Sequence, residues 1–207
     1  MNKIIYMTIK RSYKWVVPVI IIILLSGCKS KSVVSDSVEY FSNDKTKLGI
    51  EVTDQELGIR FFPPIGWELK QTLISKRPMG VNNSSQAGGN FSYNPIYIFF
   101  NDSTSGLFSA GKVSSGDSLL SKSARLNYYK SDLADKYKDN KLLIGSFINS
   151  RISFTYIKLE KENLIPIKLL FMNQTGELIQ FDYTIPANRL PHVENAIKAS
   201  IGSIKLM

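Results

Sequence analysis

Cys28 is the only thiol in the chain and His192 the only imidazole, so few side chains could take part in catalysis. A serine-type triad needs a base, and His192 alone could serve. Asp182 and Glu194 lie near it along the chain, yet no Gly-x-Ser-x-Gly stretch offers a nucleophile. Zinc would draw on clustered His, Cys or carboxylate ligands, and one histidine among scattered acids supplies no such set. Gly88-Gly89-Asn90 leads into no helix signal, so it forms no phosphate cradle. Glu160 and Glu162, two apart at a strand end, read as a solvated hairpin tip rather than a carboxylate pair. The expectation is a chain with no catalytic residue, no metal site and no cofactor.

Chemistry performed on the chain is another matter. Cys28 ends the stretch Leu25-Ser26-Gly27-Cys28, and what precedes it is ordered like an export leader. Residues 1–14 carry Lys3, Lys10, Arg11 and Lys14 and no acid. Trp15 to Leu25 is apolar over 11 residues, well short of the roughly 20 needed for a permanent span. Ser26 and Gly27 are small enough for a peptidase to reach the bond between Gly27 and Cys28. The stretch resembles the lipoprotein signal-peptidase motif, and the resemblance implies a diacylglyceryl group on the Cys28 sulfur, followed by cleavage and acylation of the freed amine. Two or three acyl chains hold a protein stably at a membrane, where one is marginal.

Three segments follow from this reading: a signal peptide over 1–27, a lipidated flexible tether over 28–47 rich in Ser, Lys and Asp, and a globular domain over 48–207. The leader holds four of the 26 basic residues and none of the 17 acids, so the remainder carries a net charge of +5. That is mildly basic, suited to lying near anionic lipid. Arg125-Leu126-Asn127-Tyr128-Tyr129-Lys130 interleaves basic and aromatic side chains, but an envelope address argues against nucleic acid as partner. Lys29 stands where an Asp often signals inner-membrane retention, so either the periplasmic face of a membrane or the outer membrane is compatible.

Within 48–207, Leu48–Val52 and Leu57–Phe62 read as short strands around the polar turn Thr53–Glu56, and Pro63-Pro64 ends their pairing. Trp67 then turns into the core beside the sheet edge. Residues 75–95 form the one long irregular stretch, a candidate recognition loop. Ile96–Phe100 and Leu107–Val113 read as partner strands. A helix capped by Asp117 or Ser118 runs to about Lys138, with Leu119, Leu126, Tyr129, Leu133 and Tyr137 on one stripe and the Lys122 stem along it. Leu142–Ile148, then Ile152, Phe154 and Tyr156, continue as strands. Ile165, Ile167, Leu169 and Phe171 share one face, Asn173–Gly176 reverses the chain, and Ile179, Phe181, Tyr183 and Ile185 return as an antiparallel neighbour. Pro191 opens a closing helix with Val193, Ala196, Ile197 and Ile201 at helical spacing.

This order of parts, with Pro64-Ile65-Gly66-Trp67 and the ending Ala199-Ser200-Ile201-Gly202-Ser203-Ile204, resembles PsbP-like domains and bacterial DcrB-like lipoproteins. The resemblance implies an α+β fold, an α/β/α sandwich with a central antiparallel sheet flanked by helices, and no common catalytic set. The expected function is that of a lipid-anchored cell-envelope lipoprotein, not an enzyme, that binds another envelope protein or assists its assembly. The alternative is a carrier of a small ligand or lipid, with Trp67 and Tyr93 as candidate binding residues around a groove near the 75–95 loop.

Overall fold

Nine-residue strands that alternate apolar with other residues must hide one face, and four of them in succession build most of the sheet. The structure, a computed structural model, describes residues 39–72, 91–115 and 120–207, all within the unit Glu39–Met207. The strands are β1 (Val52–Asp54), β2 (Ile59–Phe61), β3 (Glu68–Thr72), β4 (Phe91–Asn101), β5 (Gly106–Ser115), β6 (Lys141–Asn149), β7 (Ile152–Glu160), β8 (Leu164–Met172), β9 (Leu178–Pro186) and β10 (Lys205–Leu206). The helices are α1 (Lys122–Lys136) and α2 (Leu190–Gly202), with a short 3-10 turn at Lys45–Lys47.

The main sheet has the order β3-β4-β5-β9-β8-β7-β6, antiparallel at every pairing. A smaller sheet, β1-β2-β10, packs with α2 on one face of it. There Phe108, Phe154, Phe171, Phe181 and Tyr183 meet Ile59, Phe61, Val193, Ile197 and Ile201. On the opposite face Val113, Ile157, Leu159, Leu170 and Leu178 meet Tyr129 and Leu133 of α1. Helix, sheet and helix therefore stack as layers in an α+β sandwich. The β8–β9 hairpin keeps the expected register, with Ile165 opposite Ile185 and Leu169 opposite Phe181.

Several boundaries differ from the sequence reading. The first hairpin pairs Val52 with Phe61, later than the expected strand at 48–52. Asp54 Oδ1 accepts from the Leu57 N–H at 2.7 Å and Gly58 takes φ +65, which puts the turn at 55–58. Helix α1 starts later than expected, with Ser121 Oγ accepting from the Ala124 N–H at 3.3 Å. Asp117, Ser118 and Leu119 lie outside the described residues. The expected loop over 75–95 ends early, because β4 already begins at Phe91; its first part, to Asn90, lies outside the described residues. Pro95 is tolerated in β4 because the register shifts between Pro95 and Tyr97. Gly111 faces that bulge, where an added Cβ would stand 2.0 Å from the Asn94 carbonyl oxygen.

Of the tether expected over 28–47, residues 28–38 lie outside the described residues, and the rest packs on the domain. Tyr40 stacks on Phe147 at 5.2 Å and tilts against Tyr156 at 4.6 Å, and Phe41 stacks on Phe147 at 5.4 Å. The Ser42 N–H donates to the Lys198 carbonyl at 2.9 Å. Two adjacent aromatics in a polar run show no period, yet residues from Tyr40 onward belong to the folded domain.

Candidate functional site

Polar residues at alternate positions of a buried hairpin must find partners in the layer above them. Register places Ser109 of β5 opposite Asp182 of β9, and Asp182 opposite Lys168 of β8, in one row on the α1 side. Lys168 Nζ donates to Asp182 Oδ2, with the two side chains 10% and 17% exposed. Gln180, one step along β9 on the same face and 1% exposed, donates from Nε2 to Asp182 Oδ2 at 3.2 Å. Tyr129 reaches down from α1 and donates to Gln180 Oε1 at 2.7 Å. Tyr93 of β4 shares a hydrogen bond with Ser109 Oγ at 2.9 Å. Its hydroxyl also donates to the Gln180 carbonyl at 3.5 Å.

This row sets the local electrostatics. Burial raises the Tyr93 phenol well above its ordinary value, and the Asp182 charge adds to the shift. Burial and then the same carboxylate also raise Tyr129. Both remain neutral hydroxyls, donors rather than bases. Asp182 Oδ1 is buried without a hydrogen-bond partner, so the carboxylate can accept one further donor. Arg125 Nε, one helical turn before Tyr129, is likewise buried and unpartnered.

Beside the row, away from the turn joining β8 to β9, the sheet surface becomes apolar. Ile98 pairs with Ser109, and Phe100 pairs with Leu107, two residues before Ser109 on the same face. Ile98 and Phe100 are half-buried, and Leu107 is 40% exposed. Thr184 and Pro166 continue the Leu107 row across β9 and β8. The site is thus an apolar sheet strip next to a buried carboxylate with acceptor capacity. Its exposed part is suited to apolar contact.

The residues singled out from the sequence fall in different places. Cys28 and Gly27 lie outside the described residues. Trp67 is 5% exposed, with its ring edge-on to Phe108 at 6.4 Å and to Tyr183 at 6.3 Å. It also packs over Gly106, where an added Cβ would meet Trp67 Cη2 at 2.8 Å. No face of the indole is free to stack on a ligand, so Trp67 serves the core; Tyr93, by contrast, joins the polar row. His192 is exposed on α2, on the other side of the sheet from Asp182, and the two are not brought together. Glu194 pairs with Lys198 at 3.2 Å, and Glu160 with Lys141 at 2.7 Å. Among the described residues no group of three or more His, Cys, Asp or Glu could hold a metal ion. No helix among them is long and apolar enough to cross a membrane.

Lys168, Gln180 and Ser109 were not singled out from the sequence. Their signal was parity: Gln180 and Asp182 alternate with Ile179, Phe181 and Tyr183, and Lys168 sits between Ile167 and Leu169. Read alone, that pattern describes a wet strand face.

The sequence matches no protein-family model and no curated protein. Among solved structures it is similar to cyanobacterial PsbP (CyanoP) from Synechocystis sp. PCC 6803. The identity is 11% over 80% of this chain and 96% of that one, with a TM-score of 0.46. It is also similar to PA94 from Pseudomonas aeruginosa, a protein of unknown function. There the identity is 13% over 74% of this chain and 93% of that one, with a TM-score of 0.38.

Proposed function

We propose that the chain is a lipid-anchored cell-envelope lipoprotein, not an enzyme, whose folded domain binds another envelope protein or assists its assembly. The Leu25–Cys28 stretch supports the address. The observation that carries the contact role is the strip of Ile98, Phe100 and Leu107, an apolar sheet surface that turns partly to solvent beside the Asp182 carboxylate. Aromatic and aliphatic side chains around a few fixed polar groups suit protein contact. Lys168 and Asp182 are committed to each other, which suits a positioning role better than a proton-transfer role.

Crosslinking in intact membranes followed by pull-down tests the reading. The wild-type chain should retain a defined envelope protein that Leu107→Glu loses and that an Ile50→Glu control, at an exposed isoleucine just before β1, keeps. Recovery of nothing above an unrelated domain carrying the same anchor overturns the contact role. Labelled palmitate tests the address separately: wild-type chain should incorporate it and Cys28→Ala should not. Stoichiometric small molecule in native mass spectra, with no protein partner, would replace this reading by a carrier.

A further inference from the structure

The two edges of the main sheet are built in opposite ways. β3 is five residues long, shifts register between Leu69 and Gln71, and carries Glu68 and Lys70. Short length, a bulge and charge are the devices that keep an edge strand from pairing with another chain. β6 has none of them: it runs nine residues, keeps unbroken register with β7 from Lys141 to Asn149, contains no proline, and is uncharged after Lys141. Among the described residues no strand pairs with its outer side.

The turn decides which backbone groups face outward. Ser150 and Arg151, at φ 50 and 68, make a two-residue connection between Asn149 and Ile152, which closes the ladder with a hydrogen-bonded pair. Alternation from that pair commits Phe147, Gly145 and Leu143 to β7. The N–H and C=O groups of Leu142, Ile144, Ser146 and Ile148 are then left along the outer edge. Ile148, 71% exposed, lies among them.

We propose that β6 pairs antiparallel with β6 of a second copy about a twofold axis at Gly145, joining the two main sheets into one. This is the antiparallel register that pairs all four outward residues of the strand with one another. Leu142 meets the second copy's Ile148 and Ile144 its Ser146, as hydrogen-bonded pairs that use all four outward residues. Leu143 meets Phe147 on the other face, and glycine meets glycine on the axis. Lys141 lies opposite Asn149, and it is already neutralised by Glu160 at 2.7 Å, so no like charges face each other. The pairing covers Ile148 and gives every free backbone group of the edge a partner.

The full chain, purified in detergent, should sediment as two protein copies per particle. Ile144→Pro removes an outward donor and leaves the β7 ladder intact, so it should give single copies with unchanged circular dichroism. Ser146→Lys alters an exposed side chain and sets two ammonium groups diagonally across the axis. It should weaken dimerisation roughly tenfold and recover in high salt, which keeps the test valid if the proline variant fails to fold. A wild-type chain that stays single at high concentration overturns the proposal, even if the edge then takes up a strand of another protein. So does a dimer that both variants retain.

Discussion

Tyr129 donates its hydroxyl hydrogen to Gln180 Oε1 at 2.7 Å, tying α1 to the middle of the sheet between residues 51 apart in sequence. Gln180 passes the link to Asp182, and Asp182 to Lys168, so one helix contact orders a row of polar groups spanning two strands.

Tyr129→Phe should destabilise the domain by about 1–3 kcal/mol, because it strands a buried amide oxygen while leaving the ring's packing in place. Urea denaturation measures it. Gln180→Leu added to Tyr129→Phe should cost less than the sum of the two single changes, since no unpaired acceptor of that amide then remains.

Lys168→Met leaves the Asp182 carboxylate buried without its cation, with Gln180 Nε2 still donating to it, and a loss of about 3–5 kcal/mol is expected. Replacing both partners, as Lys168→Met with Asp182→Leu, should return most of that stability. A double-mutant cycle by denaturant titration checks the coupling. Additive losses would show that the pair does not act as a unit.

Gly145→Ala places a Cβ 2.1 Å from Tyr40 Oη and must displace that ring. The expected cost is about 1–3 kcal/mol in a thermal or chemical melt, and it should largely vanish in a Tyr40→Gly background. A Gly145→Ala variant as stable as wild type would show that Tyr40 does not occupy this seat in solution.

Tyr93, Tyr97, Tyr129, Tyr156 and Tyr183 all have raised phenol values, with burial the leading cause in each. In an unfolded chain each would ionise near pH 10. Above that pH the unfolded state holds fewer protons than the folded one, so stability is full below about pH 10 and falls as pH rises toward the folded values. Absorbance titration should show an early set of exposed tyrosines and a late set that appears together with loss of the native circular dichroism. Smooth ionisation of every tyrosine in a folded chain would contradict the raised values of these five.

Much of the fold was legible because its strands alternate cleanly. The β8–β9 hairpin and α2 are found where their apolar periods put them, since a slip of one residue would expose Ile167, Leu169, Phe171 and their partners. Tyr40 and Phe41 were not legible as core, because two aromatics in a polar run carry no period. Their place depends on the gap that Gly145 leaves on a strand a hundred residues later.

The sequence by itself determined the apolar face of each long strand and the alternation that builds a layered α+β domain, and it raised the expectation of an export-type leader over residues 1–27. Those are local properties: charge order, side-chain size and periods of two or 3.6 residues. Only the tertiary structure decided that Lys168, Asp182 and Ser109 form one row, that Trp67 is closed into the core, and that β6 rather than a central strand lies at the long uncharged edge. These depend on which strands become neighbours, and β9 reaches β5 only after α1 and three intervening strands have been placed. Pairing across that distance is set by register and packing of the whole sheet, which no window of the sequence contains.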